Sequence, residues 1–498
     1  MALSIGHCYA FSEYQSLAAL VWFRQDLRLS DNPALTAAIA SGEPVIPVFC
    51  LDEAGDGNWP LGGAQRWWLH ESLGALIAAL EAIGSRLVLR HGASQRVIES
   101  LLEETGAGSV YWNRRYEAAT IARDKLIKTA LETRGVQATS YNGALLNEPW
   151  EIRNQSGKPF LVFTPYWRHC LKRPDPRAPL AAPTKLGSPD HWPRTDTLAD
   201  LALRPRIRWY DTMANTWQPG ERGAAKNLQR FVQATVWSYP ETRNLPAIEG
   251  TSQLSPHLHF GEITPQQIWH AVRQQAERER IPKDEWRTNQ FLTEVYWREF
   301  AYHLLFHFPH TPTEPLRPDY ARFPWQADAQ QLRAWQHGRT GIPMVDAGMR
   351  ELWATGWMHN RVRMVVGSFL VKNLLVPWQD GASWFWDTLL DADLASNTLG
   401  WQWCAGSGAD AAPYFRIFNP VSQGEKFDPE GAYVRQWVPE IAKLPDKYLH
   451  APWTAPADVL QIAGIKLGSD YPQPIVDLKA TRERALQAYQ TMRKTQAT

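Results

Sequence analysis

The feature that most constrains the fold is an alternation of short apolar runs with helical patterns in the first 140 residues. Apolar runs rich in β-branched and aromatic residues occupy positions 20–23, 44–51, 86–89 and 109–112. Helical periodicity covers 67–83 and 97–104, and Pro33 can start a further helix. Strands that alternate with helices form βαβ units around a parallel sheet. We therefore predict a Rossmann-like α/β domain over residues 19–140.

The chain changes character after residue 140. Pro and Gly cluster between positions 142 and 219, notably at 172–179 and 182–193, as is typical of a connection that runs over the surface. Helical patterns dominate from about 221 to 437, and 481–493 predicts one more helix. We predict four parts, namely an N-terminal extension (1–18), the α/β domain (19–140), an interdomain linker (141–220) and an all-α domain (221–498).

Bulk composition excludes several classes of protein. A formal net charge of +1 excludes binding of nucleic acid by global charge alone, but it allows a local basic patch. The four cysteines are scattered without a C-x-x-C pair, so neither a zinc cluster nor a disulfide framework is indicated, and a reducing cytoplasm fits best. The longest apolar stretch, 365–376, is broken by Lys372 and Asn373, which predicts a buried helix rather than a membrane span.

Tryptophan is unusually frequent in this chain. There are 25 Trp residues, against 16 Tyr and 17 Phe. A buried indole needs a partner for its N–H group, so tryptophan is rarely used as plain filler. The surplus therefore requires an explanation from the positions of the tryptophans.

Two candidate clusters lie between residues 250 and 300. Residues 250–257 (GTSQLSPH) place hydroxyls and backbone amides before a helix, where they can cradle a phosphate or simply cap the helix. Glu294 and Arg298 share a helix face at i,i+4 spacing, and Trp297 stands beside them. Such spacing commonly means a surface ion pair, but it can also form the floor of a pocket for a planar ligand.

Two further clusters follow. His359 and Asn360 could bind a ligand, and Arg363 could neutralise a phosphate or pair with an acid. His359 is equally explained as a satisfied helix histidine, and no matching His/Cys pair supports a metal site. Asp391 and Asp393 could bind a metal, cap a helix or pair with arginine. Residues 414–426 mix rings with basic groups, which suits either nucleic-acid binding or a packed core.

Taken together, these clusters resemble the photolyase/cryptochrome family. The match runs from residues 20–29 (LVWFRQDLRL) to residues 471–474 (YPQP), with its most specific blocks at 294–300, 338–364 and 391–427. Within the family the chain is similar to bacterial cyclobutane pyrimidine dimer photolyases, and residues 65–69 and 142–167 look most like the class III branch. The resemblance implies an α/β antenna-binding domain and a helical domain that binds FAD and DNA.

The resemblance also implies an FAD site, with the cofactor folded into a U. Its phosphates and ribityl chain would contact Tyr239, Thr251, Ser252, Gln253, Leu254 and Ser255. Its isoalloxazine and adenine ends would be surrounded by Arg298, Arg363, Asp391 and Asp393, with Asp391 the partner of Arg363 and no metal ligand. Asn397 would face flavin N5, where an amide can accept the N–H of reduced flavin. Plant cryptochromes carry Asp there, so Asn397 favours a repair enzyme.

A lesion pocket and a DNA face are implied in the same way. Glu294, Trp297, Asn360 and Met364 would line the pocket for an extruded dimer. The (6-4) photolyases carry histidines at the last two positions, so this chain is not expected to repair (6-4) lesions. Glu294 is expected to be protonated, or to share a proton, at the dimer carbonyls, because an apolar pocket raises a carboxyl pKa. DNA phosphates would contact Arg243, Arg361, Arg416 and Lys426.

The implied reaction is light-driven electron transfer from excited, reduced FAD to the dimer, after which the ring splits and the electron returns. Trp401, Trp378 and Trp325 match a chain that regenerates reduced flavin, from the flavin to the surface, although each could be plain core. The expected partner is UV-damaged DNA, and the protein is expected to be a monomer. The alternative is a cryptochrome-like blue-light photoreceptor, which Asn397 and the short tail after Pro474 disfavour.

The family also carries a second, antenna chromophore. We expect 5,10-methenyltetrahydrofolate or, alternatively, a deazaflavin. Ala119 and Thr120 stand where one bacterial branch has the Asn-Glu pair that contacts folate, so the folate pose of that branch is not expected. Glu53 is a candidate acceptor for a pterin amide and amine, and it could equally be a loop acid that faces solvent.

Overall fold

A five-stranded parallel sheet begins the described part of the computed structural model, which covers residues 18–326, 328–411, 413–414 and 416–494. The strand order is β3-β2-β1-β4-β5, and Ala19 of the central strand pairs with Val45 and Ser109. The strands are β1 (Ala19–Phe23), β2 (Val45–Leu51), β3 (Val88–His91), β4 (Ser109–Asn113) and β5 (Gln137–Tyr141). The predicted Rossmann-like sheet is confirmed, whereas the predicted extension lies outside the described residues except for residue 18.

Four helices cover the faces of this sheet. They are α1 (Pro33–Ala40), α2 (Gly63–Ala82), α3 (Ser94–Thr105) and α4 (Ala118–Thr133). Asn32 caps α1 by accepting a hydrogen bond from the N–H of Leu35, and Pro33 occupies the first turn as predicted. Strand β5 and helix α4 were not predicted. Strand β5 is an edge strand with one fully buried residue, so it lacks the apolar run that identifies a central strand.

The connecting segment contains ordered structure that the Pro and Gly clusters concealed. It includes a short 3₁₀ turn at Pro149–Glu151, helix α5 (Phe163–Leu171) and helix α6 (Asp211–Thr216). Helix α5 buries Phe163, Tyr166 and Cys170 in the core of the helical domain. The segment is therefore more than a surface connection, because its first half supplies part of that core.

The rest of the chain is helical, as predicted. The helices are α7 (Glu221–Ala234), α8 (Tyr239–Thr242), α9 (Ser255–His259), α10 (Pro265–Glu279), α11 (Lys283–Arg287), α12 (Gln290–His307), α13 (Ala329–Gln336), α14 (Pro343–Thr355), α15 (Asn360–Ser368), α16 (Trp378–Thr388), α17 (Leu394–Ala405), α18 (Pro420–Phe427), α19 (Ala432–Trp437), α20 (Asp446–Leu449), α21 (Ala457–Ala463) and α22 (Leu478–Lys494). Within the described ranges, no helix combines the length and the apolarity needed to cross a bilayer.

The predicted buried helix at 365–376 is present, but its second half is a π-helical turn over Phe369–Asn373. Lys372 in this turn is buried and has no acidic partner among the described ion pairs. Its Nζ lies 3.4 Å from the centre of the Tyr414 ring and 3.3 Å from the Tyr414 carbonyl oxygen. Burial lowers the pKa of Lys372 to about 7, which is the expected response of an amine removed from water.

Buried polar contacts join the α/β domain to the helical domain. The indole N–H of Trp68 on α2 donates to Glu262 at 2.9 Å, and Glu262 also pairs with the buried His257 of α9. The Arg28 guanidinium donates to the carbonyl of Gly261 at 2.8 Å. Because these groups are buried and paired across the boundary, separation of the two domains would break all of these contacts together.

Helix α14 supports the start of α15 through a buried carboxyl group. Glu351 accepts a hydrogen bond from the Tyr433 hydroxyl at 2.6 Å and a longer one from the His359 N–H at 3.4 Å. His359 caps α15, which carries Asn360 and Arg363. Burial raises the pKa of Glu351 to about 7, so the native state holds a proton that the unfolded chain releases above its ordinary value of 4.5.

Replacement of this carboxyl group should change how stability depends on pH. The native state binds the extra proton between about pH 4.5 and 7, so stability falls as the pH rises through that window. In the Glu351→Gln variant this fall in stability should disappear, and the free energy of unfolding at pH 8 should be about 1–3 kcal/mol higher than in the unaltered protein. Denaturant unfolding at several pH values measures the effect, with the exposed Glu430→Gln as the control. If the free energy of unfolding depended on pH in the same way for Glu351→Gln and for the unaltered protein, the raised pKa of Glu351 would be contradicted.

Candidate active site

A cavity of about 540 Å³ lies between helices α12, α15, α16 and α17. This volume is in the range of cofactor and ligand sites. Of the predicted residues, its lining includes Arg243, Ser255, Glu294, Trp297, Arg298, Asn360, Arg363, Met364, Asp391, Asn397 and Trp401. Residues that are far apart in the sequence thus meet in one place, as the resemblance implied.

Part of the cavity lining is built on an ion pair. Arg363 Nη2 lies 2.8 Å from Asp391 Oδ2, and Arg363 Nε donates to the Met358 carbonyl at 2.7 Å. The predicted pairing of Asp391 with Arg363 is therefore present. Asp391 Oδ1 is buried and has no hydrogen-bond partner among the described residues, so it is free to accept a hydrogen bond from a ligand.

Asp393 has a structural role at the start of α17. Its Oδ1 accepts a hydrogen bond at 2.8 Å from the Ser396 N–H and so caps α17, while the Tyr302 hydroxyl donates to its Oδ2. It does not line the cavity. The sequence left metal binding, helix capping and arginine pairing open for these two acids. In the structure Asp393 caps a helix and Asp391 pairs with an arginine. Among the described residues, no group of three or more His, Cys, Asp or Glu is arranged to hold a metal ion.

Helix α17 presents two groups to the cavity. The Asn397 amide nitrogen donates to the Ala382 carbonyl at 3.1 Å, which orients the amide and leaves its oxygen as the unused end. Trp401, one turn later, has a buried indole N–H without a hydrogen-bond partner among the described residues. The cavity wall therefore offers an acceptor at Asn397 and a donor at Trp401.

Another part of the cavity lining combines a carboxyl group with an aromatic wall. Glu294 forms an ion pair with Arg243 and accepts a hydrogen bond from Gln290 at 2.7 Å. Trp297 stacks on Phe163 of α5, with ring centres 3.8 Å apart and planes 9° apart. Helix α5, which sequence reasoning missed, thus holds the flat face of Trp297 in place.

The i,i+4 ion pair between Glu294 and Arg298 is not formed. Arg298 instead donates to the Ala144 carbonyl at 2.9 Å and lies 4.8 Å from the centre of the Tyr302 ring. Both side chains line the cavity, but each binds a different neighbour. The pocket interpretation of this helix face is therefore the one that the structure supports.

His359 is a structural histidine. Its ring nitrogen accepts a hydrogen bond from the Arg361 N–H at 3.2 Å and so caps α15. Burial, followed by the nearby charges of Arg363 and Arg361, lowers the pKa of His359 to about 4. A neutral ring suits this cap, because the nitrogen must carry a free lone pair. Asn360 and Met364 follow on α15 and reach the cavity.

The predicted phosphate segment lies beside the cavity. Only Ser255 lines it, and the Trp357 indole N–H lies 3.3 Å from the Ser255 hydroxyl. Gln253 has a left-handed backbone (φ 53°), which turns the chain sharply before α9. Tyr239, on α8, packs under the Arg243 guanidinium at 5.4 Å. The residues predicted to contact the phosphates and the ribityl chain that do not line the cavity are Tyr239, Thr251, Ser252, Gln253 and Leu254.

Two of the three tryptophans of the predicted chain are buried and the third is not. Trp401 and Trp378 are 3% and 2% exposed, while Trp325 is half-buried. Trp378 begins α16, and the Trp401 ring packs against Gly381 of α16. Trp335, which sequence reasoning missed, contacts Trp401 edge-on at 6.1 Å.

The predicted DNA-contacting residues lie outside the cavity, except for Arg243. Arg361 donates to the Asn244 side chain at 2.8 Å, and its guanidinium lies 4.4 Å from the Phe427 ring centre. Lys426 lies over the same ring at 5.1 Å, and Arg416 is exposed. Arg361 and Lys426 thus share one aromatic support close to α15.

Glu53 lies in a separate small cleft at the carboxyl ends of β1 and β2. It forms an ion pair with Arg66, and that hydrogen bond lowers its pKa. The cleft measures about 50 Å³, and Arg24 and Arg115 in its wall already pair with acids. Glu53 is 47% exposed, so the interpretation as a loop acid that faces solvent fits the side chain as it stands.

The fold and this cavity define a two-domain protein that joins a parallel-sheet domain to a helical cofactor-binding domain. Residues 19–184 match the family model for DNA photolyase, and residues 291–491 match the model for the FAD binding domain of DNA photolyase. A deoxyribodipyrimidine photo-lyase of Agrobacterium fabrum is 49% identical over 96% of this chain and 98% of that protein. Cryptochrome-1 of Arabidopsis thaliana is 41% identical over 95% of this chain and 70% of that protein.

Solved structures agree with these sequence matches. The crystal structure of a bacterial class III photolyase from Agrobacterium tumefaciens has a TM-score of 0.93 and 48% identity, covering 98% of this chain and 100% of that one. A Synechocystis cryptochrome has a TM-score of 0.86 and 30% identity, covering 95% of this chain and 99% of that one. The chain belongs to the photolyase/cryptochrome family, and the resemblance inferred from its motifs is confirmed.

The contact between Gly381 and Trp401 gives a test of the cavity wall. A Cβ at position 381 would lie 2.1 Å from a ring carbon of Trp401, so Gly381→Ala must push the indole away from its place in the cavity wall. We expect the FAD content of the purified variant to fall several-fold, as measured by flavin absorbance per protein. Gly74→Ala in α2 is the control, because its Cβ would meet only an ordinary contact at 3.7 Å. Full FAD content in Gly381→Ala would contradict this packing.

Proposed function

We propose that this chain is a light-driven DNA repair lyase that splits cyclobutane pyrimidine dimers. The observation that carries the proposal is that one cavity is lined by two chemically different sets of side chains. Asp391, Asn397 and Arg363 form a polar set suited to a flavin, and Glu294 and Trp297 form a set suited to a pair of bases. The name of the Agrobacterium fabrum relative, deoxyribodipyrimidine photo-lyase, supports the same reaction.

FAD fits the polar set of side chains formed by Asp391, Asn397 and Arg363. The unpartnered Asp391 Oδ1 and the free Asn397 oxygen supply acceptors, and Arg363 and Arg298 supply positive charge. We assign the isoalloxazine and adenine ends of FAD to Arg298, Arg363, Asp391 and Asp393, and flavin N5 to Asn397. The phosphates and the ribityl chain are assigned to Tyr239 and residues 251–255. Asp393 also caps α17. When bound and reduced, FAD supplies an electron to the dimer after it absorbs light and recovers that electron after the ring has split.

The protein must bring the dimer to this site. Photolyases are among the enzymes that extrude their target from the base stack, at a cost that is smallest for a damaged pair. Trp297 offers the extruded bases a flat wall, and Asn360 and Met364 complete the pocket. Glu294 would face the dimer carbonyls. Glu294 pairs with Arg243, and a proton on its carboxyl group at the lesion stays a prediction.

Positive side chains around the cavity supply the contacts to phosphate. We assign this role to Arg243, Arg361, Arg416 and Lys426, of which Arg361 and Lys426 already share the Phe427 ring. Such contacts set the position of the duplex and carry no sequence information. The chain has a net charge of +1, so this patch must be balanced by acidic groups elsewhere. A cytoplasmic location and a monomeric state stay predictions.

The antenna chromophore is proposed for the α/β domain, as 5,10-methenyltetrahydrofolate or, alternatively, a deazaflavin. Glu53 is the proposed hydrogen-bond acceptor. It would have to give up its ion pair with Arg66 in order to bind the chromophore. One solved relative, the photolyase of Sulfolobus tokodaii with two FAD molecules, is described as implying a novel light-harvesting cofactor. An absorption spectrum of the purified protein distinguishes these chromophores, because a folate band and a deazaflavin band lie at different wavelengths.

The repair reaction can be measured directly. Purified protein with chemically reduced FAD should restore intact thymines in an oligonucleotide that carries one thymine dimer under blue light, and it should not do so in the dark. Chromatography of the digested oligonucleotide measures the product. Absence of repair under light would refute the proposal. If the FAD of the same sample still changes redox state under light, a cryptochrome-like photoreceptor is the better assignment.

The tryptophan chain is tested separately from repair. Trp378→Phe should slow the photoreduction of oxidised FAD at least about tenfold, because the residue between Trp401 and Trp325 can no longer be oxidised. Repair by protein reduced in advance should be unchanged. Trp286→Phe is the control, since Trp286 is buried in a different part of the core. Unchanged photoreduction in Trp378→Phe would show that another route dominates.

A further inference from the structure

Lys372 is a buried basic side chain that the proposed reaction does not use. It is 2% exposed and lies in the π-helical turn Phe369–Asn373. Turns of this kind are rare in proteins and are found frequently at functional sites. Among the described residues, no carboxylate acts on Lys372. A buried cation is costly without a partner, so its neighbours show what keeps it there.

The amine of Lys372 contacts both ends of one loop. Its Nζ lies 3.5 Å from the carbonyl oxygen of Ala405, the last residue of α17, and 3.3 Å from that of Tyr414. It also lies 3.4 Å from the centre of the Tyr414 ring, which is a cation–π geometry. The Tyr489 ring stacks on Tyr414 with centres 4.7 Å apart and planes 10° apart. We call the contacts of Lys372 with Ala405 and Tyr414 the lysine clamp.

The clamped loop leaves the cavity wall and returns to it. Trp403 lines the cavity and stands two residues before Ala405. After Tyr414 the chain comes back, because the Phe418 ring stacks on Trp403 with centres 6.3 Å apart and planes 24° apart. The exposed Arg416, one of the proposed DNA contacts, lies between Tyr414 and Phe418. A movement of Tyr414 would therefore move Arg416 relative to the cavity.

The same loop also supports the aromatic wall of the cavity. Asp410, in the loop, accepts a hydrogen bond from the Phe163 N–H at 3.2 Å. The Phe163 ring stacks on Trp297, which lines the cavity. The loop is thus joined to the wall against which the extruded dimer is proposed to lie.

We propose that Lys372 is a positioning residue for the binding of dimer-containing DNA, because its charged amine holds the loop that places Arg416 and supports Trp297. This inference rests on the proposed function and deepens it. Lys372 itself is outside the cavity lining, so it acts through the loop.

The clamp depends on a proton. Burial lowers the pKa of Lys372 to about 7. The charged amine attracts the Tyr414 ring, and loss of the proton removes this attraction. The clamp should therefore hold below about pH 7 and loosen above it, so the affinity for DNA should fall as the pH rises through this value.

The surroundings of this amine contain few groups that titrate near pH 7. Helices α15, α16, α17 and α22 pack against the π-helical turn. Arg484 of α22 donates to the Asn373 carbonyl at 2.6 Å and stays charged. Among the described residues, Cys404 of α17 is the one ionisable side chain whose charge acts on Lys372, and burial raises the pKa of that thiol to about 12. The charged side chains of α15 and α16 that do not act on it are Arg361, Arg363, Asp380 and Asp387.

The clamp is tested by the pH dependence of DNA binding. Lys372→Met keeps an apolar stem and removes the amine. It should bind a duplex with one thymine dimer about three- to tenfold more weakly than the unaltered protein at pH 6, and within about twofold at pH 8. Fluorescence anisotropy in the dark, at one fixed salt concentration, measures these affinities. The control is the exposed Lys125→Met of α4, which should follow the unaltered protein at both pH values.

A second pair of variants tests the ring. Tyr414→Leu removes the ring and should behave like Lys372→Met. Tyr414→Phe keeps the ring and removes a hydroxyl that has no hydrogen-bond partner among the described residues, so it should keep the affinity of the unaltered protein. If Lys372→Met is purified without FAD and is therefore misfolded, the comparison of Tyr414→Leu with Tyr414→Phe decides.

Two results would overturn the clamp. One is a loss of affinity of the same size at pH 6 and pH 8, as general damage to the core would give. The other is no loss at either pH. The proposed function is judged separately, by repair under light with reduced FAD. Binding that follows the predicted pH dependence without repair would refute the lyase and leave the clamp, whereas repair without this pH dependence would refute the clamp alone.

Discussion

The ion pair between Arg363 and Asp391 is the interaction on which the site depends. It joins α15 to the turn before α17, which are the two elements that face each other across the cavity. The Asp391 side chain is 3% exposed, and a buried carboxylate is tolerated only when it is paired. One oxygen of Asp391 is paired and the other is free, so the same residue closes the cavity wall and offers an acceptor to a ligand.

The tryptophan surplus has two physical explanations. Several buried indoles have their N–H groups satisfied by defined acceptors, as Trp68 does with Glu262, Trp217 with the Thr355 carbonyl and Trp335 with the Val366 carbonyl. These residues are structural. Trp22, Trp167, Trp237, Trp269 and Trp401 have buried N–H groups without a partner among the described residues. Trp401 differs from the other four because it lines the cavity, where the proposed flavin would lie. Position rather than number therefore distinguishes tryptophans of the core from those of the proposed electron path.

Much of the fold was predictable because the first domain alternates apolar runs with helical periods. The central strands β1, β2 and β4 were identified in this way, whereas the polar edge strand β5 was not. Helix α5 was also missed, since nine residues with a proline among Pro-rich neighbours give little periodic signal. That omission concealed the partner of Trp297. Contacts such as Glu294 with Arg243 join residues 51 positions apart, so local spacing favoured the wrong partner, Arg298.

The central claim is that one cavity holds both the flavin and the extruded dimer, against two different sets of side chains in its lining. A crystal structure of the protein with reduced FAD and a duplex that carries one thymine dimer, kept in the dark, tests it most directly. The account predicts flavin beside Asp391 and Asn397, and the dimer out of the stack against Trp297 and Glu294. A dimer that remains stacked within a bound duplex, or that lies away from this cavity, would contradict the account.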